Sequence, residues 1–278
     1  MKYFFIIIFL FGTKLNAQTS LTFDKRFVES EDKWVAFKQD KDSSYAYGFI
    51  YIDEQAGLTL NYEGNFKIIS GKFVPKKLES ANMKVRLEPN NVLVAFIPEN
   101  RFQELEISEV PEWLKYYKND TNSVERLYRW GFLYNGWNEC AKALTYLEKA
   151  ERLNPNFKGL AVELAFSYNC LKQYDKAELI LVKEIKSNPT DAYVNKEYIY
   201  TLIRNSKIDK AVNQFETSIK TLKENEYAAE NCFNIMGYYY TQKDKENFNK
   251  WYNKLQTLPN GNSMLTNYSD SMKTDINK

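Results

Sequence analysis

Two stretches of equal length decide the fold of this chain. They are WGFLYNGWNECAKALTYLEKAERLNP, residues 130–155, and LAFSYNCLKQYDKAELILVKEIKSNP, residues 164–189. When the second is laid on the first, Tyr134 meets Tyr168 and Pro155 meets Pro189. Small and aromatic residues that recur with a period of about 34 residues indicate helix–turn–helix units that stack on one another.

The pattern resembles the tetratricopeptide repeat over about residues 124–256. In that family a large residue packs where the two helices of a unit cross, as Trp130 would, and a small neighbour such as Gly131 lets the backbones approach. Proline then ends the second helix. The third unit is weaker, and the fourth is shifted by about four residues and shortened, as expected at the end of a stack. The resemblance implies an all-α solenoid of three to four helix pairs.

The N-terminal part of the chain is typical of β structure. Residues 45–52 are rich in strand formers, residues 53–57 have the composition of a hairpin loop, and residues 58–62 and 83–87 alternate with period two. We expect a small antiparallel domain of five to seven strands over residues 18–110, without resemblance to a known family. The fold class is therefore α+β. Residues 111–123 are expected to form a linker helix and a polar break, and residues 257–278 a flexible tail.

Residues 1–17 have the pattern of a secretory signal peptide. Lys2 precedes an apolar run, Tyr3 to Gly12, and Ala17 offers a small residue for cleavage before Gln18. The run is too short to span a bilayer comfortably. We therefore expect an exported protein, periplasmic or extracellular in a bacterial envelope, with no transmembrane span after cleavage.

The composition excludes several classes of function. The chain has no histidine, which removes histidine-dependent triads and histidine-ligated metals. The formal net charge of +2 falls to zero when Lys2 and Lys14 leave with the signal peptide, so no basic field attracts nucleic acid. We expect neither cofactor nor metal, and the sequence specifies no oligomeric state.

The resemblance implies a groove for a protein or peptide partner, lined by the first helix of each unit. The family's ninth position would form an aromatic column in this groove, and two asparagines and two cations would lie near it. Aromatic rings bury large areas at low entropic cost, and asparagine can hydrogen-bond a peptide backbone. The alternative is that several of these rings belong to the core. The predicted partner-binding residues are Tyr128, Phe132, Asn135, Phe166, Asn169, Tyr193, Lys196, Tyr200, Arg204 and Tyr238.

One subtype of the family does not fit. The version that grips a chaperone C-terminus has lysine and asparagine at the fifth and ninth positions of its first unit, where this chain has Tyr128 and Phe132. A C-terminal carboxylate is therefore not the expected target.

Cys140 and Cys170 fall near the turn between the two helices of adjacent units, on the same edge of the implied solenoid. A disulfide would close a loop of about 30 residues in an oxidising compartment. The alternative is two inert thiols, which we favour from the sequence because the Cα separation is unknown.

The expected role is a non-catalytic protein–protein interaction or scaffold. One alternative makes the β domain a glycan- or lipid-binding module, with the solenoid as its adaptor and a stacking face of Tyr45, Tyr47, Tyr51 and Tyr62. Another is a carboxylate-dependent hydrolase that uses Asp53 and Glu54, or the cluster of Glu29, Glu31 and Asp32. Acidic loop residues more often keep a surface solvated, so we do not expect an enzyme.

Overall fold

The computed structural model describes residues 21–78, 83–118, 122–222, 225–259 and 263–278. It divides the chain into two compact units, Met1–Lys118 and Asn119–Lys278. The predicted signal peptide lies outside the described residues. Within them, no helix has the length and apolar character that crossing a membrane requires.

The N-terminal unit contains a seven-stranded antiparallel sheet among its described residues. The sheet order is β1-β7-β2-β3-β4-β5, and β6 also pairs with β4. This confirms the predicted antiparallel β domain. The strands are β1 (Lys25–Arg26), β2 (Lys33–Ala36), β3 (Tyr45–Asp53), β4 (Gly57–Ile69), β5 (Lys72–Lys77), β6 (Met83–Arg86) and β7 (Leu93–Phe96).

The predicted hairpin loop joins β3 to β4. The Asp53 carboxylate accepts hydrogen bonds from the backbone N–H groups of Gln55 and Ala56, at 2.8 and 2.9 Å. Gly57 then takes a φ of 85°, which residues with a side chain rarely adopt. The alternating stretch at residues 58–62 is part of a longer strand, β4, which continues to Ile69.

The predicted linker helix belongs to the N-terminal unit. Residues 112–117 form a 3₁₀ helix whose Leu114 is buried in the aromatic core of the sheet. The rings of Trp113 and Tyr117 lie edge-on to Tyr51 of β3, with centroids 4.9 and 4.7 Å away. The segment is therefore part of the sheet's packing.

The C-terminal unit is made of helix pairs. Four pairs are present among the described residues, followed by a further helix, and this confirms the predicted α+β class with a helical C-terminal half. The helices are α1 (Val124–Gly136), α2 (Cys140–Leu153), α3 (Leu160–Cys170), α4 (Tyr174–Ser187), α5 (Ala192–Arg204), α6 (Ile208–Thr221), α7 (Ala228–Thr241), α8 (Lys245–Thr257) and α9 (Ser263–Ile276).

Each pair turns through one residue in the left-handed conformation. These residues are Asn138, Lys172, Ser206 and Lys243, with φ between 56° and 60°. In each turn the next N–H bonds back to a carbonyl of the first helix, as in Glu139 to Tyr134 at 2.8 Å. The first three turns are evenly spaced along the chain, whereas Lys243 comes three positions later than that spacing predicts. The fourth pair is therefore shifted by three positions, and the predicted shift of four was one too many.

The crossing of α1 and α2 depends on Gly131. A Cβ at Gly131 would lie 2.3 Å from Leu147 Cγ, closer than real contacts allow. The small residue expected beside Trp130 therefore does permit the close approach of the two backbones.

The C-terminal segment differs from the expected flexible tail, because Ser263–Ile276 forms α9. Leu265, Met272 and Ile276 pack against the core of the last pair. The apolar positions are widely spaced in a polar stretch, so the composition of this segment did not predict the helix that covers the end of the stack.

Two hydrogen bonds fasten α9 to the last pair. The hydroxyl of Tyr240 donates to Asp275 at 2.6 Å, and that of Tyr252 donates to Asp270 at 2.7 Å. The terminal helix is thus held through both helices of the pair that it covers.

Candidate functional site

The candidate site is the surface formed by α1, α3, α5 and α7, the first helices of the four pairs, called here the helix-A face. Phe132 on α1 is 42% exposed. The rings of Tyr128, Phe166, Tyr200 and Tyr238 are half-buried. Aromatic side chains that keep part of their area open on neighbouring helices offer contact surface at low entropic cost.

Asn135 does not reach solvent on this face, contrary to its predicted role in holding a peptide. It is buried, and its Nδ2 donates to the Glu163 carboxylate at 2.8 Å and to the Glu163 carbonyl at 3.0 Å. Ser167 donates to Asn135 Oδ1 at 2.7 Å. The amide is thus saturated by α3 and joins α1 to it.

Asn169 repeats this arrangement one unit later. Its Nδ2 donates to the Glu197 carboxylate at 3.0 Å, and Thr201 donates to its Oδ1 at 2.9 Å. We call the two sets the polar ladder, defined by Asn135–Glu163–Ser167 and Asn169–Glu197–Thr201.

The polar ladder corrects the prediction that both asparagines bind a partner. Their side-chain hydrogen bonds are made within the protein, so their role is to join neighbouring units. Sequence reasoning missed the other ladder residues, although glutamate and a hydroxyl residue recur with the same period as the asparagines. That recurrence was the signal that could have found them.

The two ladder carboxylates have raised pKa values. Glu163 is 2% exposed, and burial raises its pKa to about 7, while hydrogen bonds from Asn135 and Tyr193 act in the opposite direction. Burial also raises the pKa of Glu197, against the effect of Lys196. Both groups therefore sit where the charged form is disfavoured.

The cation Lys196 is engaged within the protein. Its Nζ lies 3.5 Å from Glu197 and 3.4 Å from Glu230. It also lies over the rings of Tyr193 and Tyr227, 5.5 and 5.2 Å from their centroids. Tyr193 and Lys196 thus brace α5 against α7, and their predicted contact with a partner would compete with these interactions.

The ladder stops at the junction of α5 and α7. Because the fourth pair is shifted by three positions, the residues equivalent to Asn169, Glu197 and Thr201 at this junction are Ile203, Asn234 and Tyr238. Tyr238 is therefore out of the predicted aromatic column. The fourth pair carries three residues more than the 34-residue period, and these precede α7. The fourth member of the column is therefore Gly237.

This junction contains a cavity of about 300 Å³. Its wall includes Tyr200, Arg204, Asn234, Gly237, Tyr238 and Thr241. A methyl group added to Gly237 would meet no atom within 4 Å, so the missing side chain contributes to the open space. Three predicted site residues, Tyr200, Arg204 and Tyr238, are thus brought together here.

Cys140 and Cys170 form a disulfide, in place of the two inert thiols that the sequence favoured. Their Cα atoms are 6.3 Å apart, within the range that a disulfide spans. The bond ties the start of α2 to the end of α3. Cys232 remains a thiol, and burial raises its pKa to about 12, which suits a core residue rather than a nucleophile.

The predicted stacking face of the β domain is not assembled. Tyr47 and Tyr51 are fully buried in the core of the sheet. Because two of the four tyrosines have no open surface, the set cannot form a platform for a ligand ring.

Neighbouring groups hold four of the carboxylates predicted for a hydrolase, namely Asp53, Glu29, Glu31 and Asp32. Asp53 caps its hairpin, and Glu29 pairs with Arg26. Lys118 lies 3.6 Å from Glu31 and 2.8 Å from Asp32. Hydrogen bonds from Arg26 lower the pKa of Glu29, opposite to the need of a general acid.

Comparisons with known proteins give a limited likeness. No family model and no curated protein matches the sequence. Among solved structures, MamA of MSR-1 aligns at 22% identity and a TM-score of 0.43, over 51% of this chain and 80% of that chain. MamA 41-end from Desulfovibrio magneticus RS-1 aligns at 18% identity and a TM-score of 0.43, over 57% and 83%. Both TM-scores are below 0.5, so the fold assignment rests on the chain's own helix pairs and period.

Proposed function

We propose that the protein is an exported, non-catalytic scaffold that binds a polypeptide partner along the helix-A face. The observation that supports this most directly is the exposed Phe132, followed on α3 and α5 by the half-buried rings of Phe166 and Tyr200. Rings placed in this way can anchor a partner, as stacked helical repeats commonly do.

The disulfide supports the export part of the proposal. Disulfides persist in secreted and periplasmic proteins and are rare in reducing compartments. The Cys140–Cys170 bond therefore agrees with the signal peptide predicted for residues 1–17. A fusion of residues 1–25 to a periplasmic reporter enzyme should activate the reporter, and retention of the reporter in the cytoplasm would refute export.

The binding face is tested by photo-crosslinking in cells that produce the protein. Benzoylphenylalanine replaces Phe132 in one variant and, as a matched control, Leu153 at the end of α2, which is 59% exposed. We expect a polypeptide of defined mass to crosslink from position 132 in stoichiometric amount and not from position 153. Equal crosslinking from both positions, or none from position 132, would refute the helix-A face as the binding surface.

A further inference from the structure

The junction of α5 and α7 differs from the two before it because it has a pocket where they have a polar ladder. Asn234 and Gly237 of α7 line this pocket opposite Tyr200 and Arg204 of α5. A volume of about 300 Å³ is at the lower end for binding pockets, which suits one side chain rather than a large ligand.

Arg204 supplies the positive charge of the pocket. Its Nε donates to the Tyr174 hydroxyl at 3.0 Å, and its guanidinium lies 5.2 Å from the centroid of that ring. Within the described part of the chain, Arg204 forms no ion pair and its two terminal Nη groups donate no hydrogen bond. The side chain is exposed, so its orientation by Tyr174 leaves these donors to an incoming acceptor.

Among the described residues, no carboxylate lines the pocket to neutralise this charge. Glu197, on the same helix as Arg204, is buried and already bound by Asn169 and Lys196. The remaining polar groups of the wall include the amide of Asn234 and the hydroxyl of Tyr238, which can donate hydrogen bonds, while the hydroxyl of Tyr200 is hydrogen-bonded to Tyr174. A cation surrounded by hydrogen-bond donors suits a carboxylate, and the two tyrosine rings beside it suit the short methylene chain that carries the carboxylate in an acidic side chain.

We propose that this pocket binds an aspartate or glutamate side chain of the polypeptide that occupies the helix-A face. The inference rests on the proposed function and names the chemistry of its partner. A side chain is favoured over a chain terminus because a volume of about 300 Å³ suits one side chain, whereas a terminal residue would have to place its own side chain there together with its carboxylate.

The test begins with a random dodecapeptide library displayed on phage and selected against the full chain. We expect enriched peptides to share one acidic residue. A synthetic version is then measured by fluorescence anisotropy, with its acidic residue intact, with that residue replaced by the matching amide, and with the acid moved to a free C-terminus. Removing the side-chain carboxylate should weaken binding about 10- to 100-fold, as the loss of a charged hydrogen bond predicts.

Variants of the protein separate the pocket from the rest of the face. Arg204→Gln should weaken the binding of the acidic peptide about 10-fold or more and leave the binding of the amide version unchanged. Gly237→Leu should fill the pocket and abolish the preference for the acid. Gly136→Leu is the matched control, because its added side chain also meets open space but lies at the end of α1. Tyr174→Phe removes the Nε hydrogen bond and keeps the charge, so it should weaken binding by less than about 3-fold.

The outcomes distinguish this inference from the proposed function. Enriched peptides that bind equally well with acid or amide, or that are unaffected by Arg204→Gln, overturn the acidic pocket while crosslinking at position 132 still supports the scaffold. Preference for the free C-terminal acid overturns the choice of a side chain. Failure to enrich any peptide, together with no crosslink at position 132, overturns both.

Discussion

The junction of α3 and α5 is closed by buried polar contacts, whereas the junction of α5 and α7, one repeat later, is open. At the first, Asn169 bridges Glu197 and Thr201, at 3.0 and 2.9 Å. At the second, a cavity is lined by the residues that hold the equivalent positions, Ile203, Asn234 and Tyr238. The difference shows that the same set of repeat positions can either join two helices by hydrogen bonds or line a cavity between them.

The largest change in the free energy of unfolding is expected from the disulfide, which ties the first helix pair to the second. Replacing Cys140 and Cys170 together by alanine should lower the free energy of unfolding by about 3–4 kcal/mol, as for a closed loop of about 30 residues. Urea unfolding followed by circular dichroism measures this. Reductant should reproduce the change in the native protein and leave the double variant unchanged; a native protein insensitive to reductant would contradict the prediction.

A somewhat smaller effect is expected when the ladder is broken. Asn169→Ala removes one hydrogen bond each from the buried Glu197 and Thr201 and should cost about 2–3 kcal/mol of unfolding free energy. Asn234→Ala at the open junction is the matched control and should cost less than about 1 kcal/mol, because Asn234 is only half-buried. Equal losses in urea unfolding would show that the two junctions do not differ as described.

The smallest change in stability is expected from the protonation of Glu163 in the polar ladder. The pKa of Glu163 is about 7 in the folded protein and near 4.5 as an unperturbed side chain, so the folded state binds the proton more tightly. Its contribution to stability is therefore present at low pH and is lost as the pH rises from about 4.5 to about 7.

Glu163→Gln keeps an acceptor for Asn135 and removes this titration. We expect the variant to lose part of the fall in stability between pH 5 and pH 8 that the native protein shows, and Glu125→Gln at the exposed start of α1 to keep it. Thermal unfolding at several pH values measures the difference. An unchanged pH profile in Glu163→Gln would assign the dependence to another group.

The repeat period made the helix pairs predictable, since Trp130, Gly131 and Pro155 have roles that depend on local packing alone. The left-handed turn residues were not predictable, because asparagine, lysine and serine occupy positions where glycine is the usual signal. The shift before α7 was overestimated by one position, which placed Tyr238 rather than Gly237 in the aromatic column.

The candidate site was predictable in part. Phe132, Phe166, Tyr200 and Arg204 lie on the expected helices, since helical periodicity fixes which residues share a face. The asparagines were misassigned because their glutamate partners are on neighbouring helices, and a sequence pattern does not tell a buried acceptor from a solvated one. The disulfide likewise depends on a Cα separation that only the stacking of units sets.

The equal spacing of the turns at Asn138 and Lys172 makes the length of the solenoid adjustable at the level of the gene. A chain without residues 139–172 would join α1 to α4 through the same type of turn. α1 would then stand beside α5, and Asn135 would meet Glu197 as it now meets Glu163. Loss or duplication of one such unit would therefore change the span of the helix-A face, while the asparagine–glutamate contact between neighbouring units would be formed by the same residue types as before.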